Sequence, residues 1–248
     1  MMQCSNNNVA MHNCQPFFFM KNIFITGINR GIGLRLTNEF LGRGHRVIGT
    51  HRKAVANSEL KKLKVAFPET FNLIHMDLKT MNKSVINESL SQYSVIDVVI
   101  NNAGILEEGN VSFEKLQIDN LINSINVNTI GPMKITQFLL SRLNASDDPK
   151  LFHITSQLGS IGDNISGSYY FYRISKAALN MFNKSFSQDY PNITSIVLHP
   201  GWVRTDMGGK NAPVAPEQAA KMLSDLILRL DKASTGQFLN YRGEILSW

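Results

Sequence analysis

Residues 23–33 read Ile23-Phe24-Ile25-Thr26-Gly27-Ile28-Asn29-Arg30-Gly31-Ile32-Gly33, and the punctuation of this stretch decides the fold. A short apolar run of strand-forming residues stops at Thr26-Gly27, and beyond Gly33 the residues Leu34, Leu36, Phe40 and Leu41 recur at helical spacing. Strand, glycine turn, helix is the context in which a glycine motif means nucleotide binding. Gly27 lets the chain turn sharply off the strand. Gly31 and Gly33 lack the Cβ that would hold a pyrophosphate away from the backbone. The amides at the helix start, that of Ile32 among them, then face the phosphates, where the helix dipole favours negative charge. The spacing is T-G-x-x-x-G-x-G rather than G-x-G-x-x-G, so a plain glycine-rich turn is the competing reading until other stretches are added.

Outward from this motif, strands and helices alternate. Expected strands are Arg46–Thr50, Phe71–Met76, Val95–Ile100, Leu151–Thr155, Ile193–Leu198 and Gln237–Tyr241. Expected helices are Ser58–Phe67, Lys79–Tyr93, a long one over Ile118–Leu143, Ser168–Tyr190 and Pro216–Leu230. The alternation predicts an α/β chain: one doubly wound Rossmann-type domain, a mostly parallel sheet of about seven strands with helices on both faces. The 248 residues suffice for one large core, and 43% hydrophobic with 18% charged content is ordinary for a globular chain. Residues 1–20 stand apart as a leader expected to be disordered, with the domain over 21–248. Both cysteines, Cys4 and Cys14, fall in that leader, which points to a reducing, cytoplasmic setting. Phe17–Phe19 is too short an apolar run to span a membrane or to serve a signal peptide. The net charge of +6 is concentrated in Arg43, Arg46, Arg52, Lys53, Lys61, Lys62 and Lys64. Without interleaved aromatics this segment is a poor nucleic-acid face.

Ligands of doubly wound sheets bind beyond the carboxyl ends of the strands. The second strand ends in Thr50-His51-Arg52-Lys53, where NAD-binding versions of this fold carry an acid for the ribose hydroxyls. Between Glu39 and Glu59 this chain has no acid. Arg52, and Arg30 in the glycine turn, suit a 2′-phosphate that a guanidinium can bind bidentately, so the expected cofactor is NADP. Asp77-Leu78 ends the third strand. Asn101-Asn102-Ala103-Gly104 ends the fourth, small and amide residues that suit an adenine edge and close backbone approach. The fifth ends in Thr155-Ser156. Sixteen residues on is Tyr172, and Lys176 lies four further along the same helix face. Tyr169 and Tyr170 are neighbours, but at +4 they have Arg173 and Ile174.

Thr26-Gly-x-x-x-Gly31-x-Gly33, Asn101-Asn-Ala-Gly, Ser156, Tyr172-x-x-x-Lys176 and Pro200-Gly201 together resemble the short-chain dehydrogenase/reductase family, in order and at near-family spacing over residues 21–248. Residues 156–164, 169–180 and 199–209 look closer still to its carbonyl-reductase branch, the sniffer-like and C-factor-like proteins. The resemblance implies a catalytic set of Asn128, Ser156, Tyr172 and Lys176. Asn128 is chosen over Asn126 because only it has a Gly three residues later. Tyr172 would donate a proton to the alkoxide left by hydride transfer, with Ser156 on the carbonyl oxygen. Lys176 would hold the nicotinamide ribose and lower the phenol pKa from ~10 by ~3 units, the ~4 kcal/mol that a cation at ~4 Å can supply. Val203 and Thr205 would hold the carboxamide. Thr155 departs from the family, where a second Ser is common.

The implied activity is NADPH-dependent reduction of an aldehyde, ketone or quinone by a homodimer or homotetramer. Two alternatives stay open: a C-factor-like signalling or NADP-sensing protein with incidental catalysis, and an alcohol-oxidising dehydrogenase. The six histidines have no ligand spacing, so no metal is expected. His153 and His199 read as packed strand residues. Trp202 and Met207 read equally as pocket lining or as core.

Overall fold

The computed structural model describes residues 20–52, 58–107 and 111–248; the leader expectation and Lys53 therefore lie outside the described residues. Seven apolar runs form the strands β1 (Asn22–Ile25), β2 (Arg46–His51), β3 (Phe71–His75), β4 (Val98–Asn101), β5 (Lys150–Ile154), β6 (Thr194–His199) and β7 (Phe238–Asn240). They pair in parallel in the order β3-β2-β1-β4-β5-β6-β7. Side chains alternate across the sheet: Ile23 and Ile25 of β1 enter one core, Phe24 the other. The first core is closed by α1 (Gly31–Gly42) and α7 (Pro216–Arg229), through Leu36, Phe40, Leu223 and Ile227. The second is closed by α3 (Lys83–Ser89), α5 (Gly131–Asn144) and α6 (Tyr170–Asp189), through Ile86, Ile135, Leu139 and Phe186. Burial on both faces explains why the strands lack polar alternation. Strand order reverses between β1 and β4, the point at which a crevice opens.

Two helices differ from expectation for local reasons. The third is confined to Lys83–Ser89 because Asn82 caps it, its side chain accepting from the amides of Ser84 and Val85 at 3.1 and 3.4 Å. Upstream, Asp77 Oδ1 accepts the Lys79 amide at 2.9 Å, a turn that competes with the expected first turn of helix. The long helix over 118–143 is interrupted. It comprises α4 (Asp119–Ile125), a wide π turn at Asn126–Ile130, and α5. Pro132, the second residue of α5, lacks the amide that a continuous α-helix would need, and the wider turn accommodates its ring against the preceding carbonyls.

After β7 the chain turns at Tyr241–Gly243 and runs back antiparallel beside it. Leu239 bridges Ile245, and the Leu246 amide donates to Phe238 O at 2.8 Å. No helix among the described residues is long and apolar enough to cross a membrane.

Candidate active site

A cleft of about 580 Å³ opens beyond the carboxyl ends of the strands, from β3 and β2 at one end to β5 and α6 at the other. The glycine turn forms its floor. Gly31, at φ +57°, leads α1, and the helix start has no side-chain cap and no acid in its first turn, so its amides are left for a ligand. Gly33 behaves otherwise than expected. A Cβ there would strike Gly27 O and Asn102 Nδ2, so this glycine serves packing, and Gly27, Gly31 and Ile32 are the motif residues that line the cleft.

The end of β4 is stitched to this turn. Thr26 Oγ1 accepts the amides of Asn102 and Ala103, both at 3.0 Å, and Asn102 Nδ2 donates to Thr26 O and Gly27 O at 2.9 and 3.1 Å. The Asn102 amide expected at an adenine edge is thus spent on the backbone, although Asn102, Ala103 and Gly104 do border the cleft. Asn101 turns inward to Thr136 and His153. At the far end Arg52, Asp77 and Leu78 line the wall together with His51, and no carboxylate ends β2. Arg30 also faces the cleft, but its guanidinium is ion-paired with Asp206 on the loop after β6, a partner that no spacing in the sequence could have revealed.

At the opposite end α6 presents Tyr172 and Lys176 one turn apart, and of the three clustered tyrosines only Tyr172 lines the cleft. Tyr170 packs edge-on against Phe113 at 5.3 Å instead. The Tyr172 hydroxyl shares a hydrogen bond with the Ser156 side chain and lies 3.9 Å from Met207 Sδ. Burial raises the phenol to about 12, more than the Ser156 bond lowers it. Lys176 is 3% exposed, its Nζ 2.9 Å from Ile154 O and 5.7 Å from the Tyr172 ring centroid. Burial lowers it to about 8. The expected lowering of the phenol by Lys176 is therefore not met: desolvation dominates, and the contribution that opposes it is the Ser156 bond. Ser156 Oγ also accepts the Leu158 amide at 3.1 Å, and Ser156 borders Tyr172 without lining the cleft.

Asn128 is fully buried in the π turn. Its side chain accepts from Ile105 N at 2.8 Å and donates to Ile105 O and Ser175 Oγ at 2.9 and 3.0 Å. A Cβ on Gly104 would sit 3.2 Å from Asn128 Oδ1, a tight approach that presses on that side chain, and at ordinary contact, 3.5 Å, from Lys176 Nζ. Thr155 borders the cleft, and its hydroxyl donates to Asn180 Oδ1 at 2.7 Å.

After β6, Thr205 borders the cleft with its methyl over Gly31, whereas Val203 is 4% exposed, bridges Val214 and lies outside the cleft lining. Met207 lines the cleft. Trp202 does not; its Nε1 donates to Gly208 O at 2.7 Å. His153 and His199 are lowered to about 3 and about 4 by burial, as packed neutral imidazoles are. Among the described residues no group of three or more His, Cys, Asp or Glu is arranged to hold a metal.

This arrangement has counterparts. The family model for short chain dehydrogenases matches residues 21–214. The chain is 34% identical to C-signal of Myxococcus xanthus over 159 residues, 62% of this chain and 93% of that protein. It is 29% identical to a 1-hydroxy-2-glutathionyl-2-methyl-3-butene dehydrogenase of Rhodococcus sp., over 92% of this chain and 100% of that one. The solved structure of carbonyl reductase Sniffer of D. melanogaster superposes with a TM-score of 0.85 at 31% identity, over 93% of this chain and 100% of its own. An NADPH-bound carbonyl reductase from chicken fatty liver gives 0.84 at 29%, over 92% and 99%. Matched by that family model over residues 21–214, most of its length, the chain belongs to the short-chain dehydrogenase family.

Proposed function

We propose that this protein is an NADPH-dependent carbonyl reductase. The observation that carries this reading is the convergence of Ser156, Tyr172 and Lys176 at one end of a cleft whose floor is an uncapped helix start. The residues fit NADPH. The α1 amides suit its pyrophosphate, and the end of β2 offers Arg52 and no carboxylate of its own to a 2′-phosphate. Bound there, NADPH supplies a hydride to the carbonyl carbon.

The protein's own part is to hold the oxygen and protonate it. Tyr172, raised to about 12, is a neutral phenol at pH 7, still far more acidic than the alcohol being formed. It can donate without prior lowering of its pKa, and the oxidising direction would need a phenolate that burial disfavours. Ser156, bonded to the same phenol, is within reach of the same carbonyl oxygen. Lys176 at about 8 is mostly charged at pH 7 and spends one of its three N–H groups on Ile154 O. The remaining two are available to ribose hydroxyls and to charge developing at the phenol oxygen. Asn128 locks the π turn to Ile105 and Ser175, beside the lysine.

An NADPH-consumption screen over aldehydes, ketones, quinones and pterins tests the reading, with Tyr172→Phe as control. Turnover by the wild type and none by the variant, which still binds NADPH, is expected. A signalling role is favoured by the likeness to C-signal. It is separated by asking whether the Ser156→Ala form, catalytically impaired, rescues a deletion strain in full.

A further inference from the structure

We propose that Arg173 and Trp248 are positioning residues, clamping the segment Gln157–Tyr169 so that Ser156 Oγ is held toward Tyr172. The inference rests on the reductase reading for its purpose, but its geometry stands apart from it. The segment leaves β5 directly after Ser156 and ends where α6 begins. Its last three residues, Gly167, Ser168 and Tyr169, are all left-handed, at φ +63°, +56° and +52°. Two of these are not glycine, so the conformation is strained and persists only where other contacts over-determine it.

Arg173 supplies those contacts. Its Nε donates to Gly167 O and Ser168 O at 3.0 and 2.9 Å, one terminal nitrogen to Ser166 Oγ at 2.9 Å, and the other to Leu158 O at 3.4 Å. The last bond reaches the site. Leu158 donates its amide to Ser156 Oγ, so the guanidinium holds the carbonyl of the residue whose amide holds the serine. A planar fork with five donors can serve four acceptors in this way, and an ammonium cannot.

Trp248 holds the middle. Its main-chain oxygen accepts from Ser160 Oγ, Ile161 N and Gly162 N at 3.2, 3.1 and 2.8 Å. The indole lies 5.6 Å from the Phe238 ring of β7, with Lys184 Nζ 6.0 Å from its centroid. On the inner side Gly159 packs so closely that a Cβ would come within 2.9 Å of Lys176 Cβ, and Asn180 Nδ2 donates to Gly159 O at 3.2 Å. The segment is thereby trapped between the helix of Tyr172 and Lys176 and the Trp248 oxygen, and loosening either residue lets Ser156 drift.

Hydrogen exchange over residues 157–169 and steady-state kinetics with NADPH and phenanthrenequinone test this in the full chain. In Arg173→Ala and Trp248→Ala, exchange should quicken by roughly tenfold or more. Turnover should fall by roughly tenfold, in kcat and kcat/KM together, while NADPH affinity stays within about twofold, as when a transition-state contact is lost. Trp248→Phe, which keeps a ring against Phe238, should restore both, and it keeps the proposal testable if Arg173→Ala does not fold. In a Ser156→Ala background neither substitution should cost further turnover, because both act through that oxygen. Unchanged exchange overturns the clamp. Faster exchange with unaltered kinetics, or full additivity with Ser156→Ala, overturns its purpose. A wild-type chain that binds NADPH but reduces no carbonyl counts instead against the reductase reading, and the exchange result still decides the clamp.

Discussion

Two lysines mark the two ends of β5. Lys150 begins the strand, Lys176 reaches its last carbonyl, and each is 3% exposed. Burial lowers the pKa of both. Their partners differ. Lys150 Nζ meets Leu230 O, Leu228 O and Ile227 O at 2.6, 3.1 and 3.5 Å, closing the end of α7, and pairs with Asp148 at 3.4 Å. Lys176 bonds one carbonyl and faces the cleft. A buried cation with every donor spent fastens a fold, and one with donors in hand is being kept for a ligand. The same residue type at the same burial can therefore be structural or functional, and the unspent hydrogen bonds tell them apart.

Exchanging the two roles breaks or sharpens this contrast. Lys176→Met should reduce turnover by ~10³-fold or more, in the range reported for losing groups that stabilise developing charge, yet melt no lower than wild type. The relief is bounded by ~3 kcal/mol, the equivalent of the shift from 10.5 to about 8. Lys150→Met should do the reverse. It leaves three carbonyls unpaired, costs about 2–3 kcal/mol, and lowers the melting temperature by roughly 6 °C with turnover of the folded enzyme intact. A Lys176 variant that melts early, or a Lys150 variant that is folded and inactive, would erase the distinction. On the proposed reductase reading, in which its oxygen acts at the carbonyl, Ser156→Ala should slow turnover by ~10²-fold with unchanged NADPH affinity. At the other end of the cleft, Arg52→Asp should cut the preference for NADPH over NADH by ~10-fold or more in dissociation constants. Equal constants in the wild type would remove the basis for assigning that wall to a 2′-phosphate.

The smallest effect is in pH. The Lys176 pKa in the folded chain lies below its unfolded value, so between about 8 and 10.5 the native state carries fewer protons than the unfolded one. The cost of burying the lysine's charge is then fully relieved above 10.5, and that relief is lost as pH falls through about 8. Wild-type protein should gain stability relative to Lys176→Met between pH 8 and 10, measured by denaturant midpoints, while carbonyl reduction declines over the same interval as the cation is neutralised.

The sequence was readable where chemistry depends on spacing. Gly27 and the strand ends follow from apolar runs that stop at glycine or polar residues, and the Tyr172–Lys176 face follows from the 3.6-residue period of a helix. It was unreadable where geometry depends on contacts distant in the chain. Gly33 and Asn102 carry family-motif positions but are spent on each other and on Gly27, which only the packed turn reveals. The ion pair of Arg30 with Asp206 spans 176 residues. Val203 sits in a functional stretch yet turns inward to Val214, because alternation along an irregular segment has no period to read. The Tyr172 pKa failed for a related reason: four residues of separation bring a lysine to the same face without showing how deeply the fold buries the phenol, and burial is what raises it.

The short return of the chain beside β7 has a consequence for the protein in concentrated solution. A parallel sheet ends in a row of open backbone groups, and the rim of β7, left bare, would be a template for strand addition by another chain. Leu246 and Glu244 occupy that rim with bonds of 2.8 and 2.9 Å to Phe238 and Asn240. The residues that silence this edge against self-association are the ones that lead directly into Trp248. Colloidal behaviour and the set of the serine loop are therefore tied to one stretch of five residues, Glu244–Trp248, and a change there is felt in both.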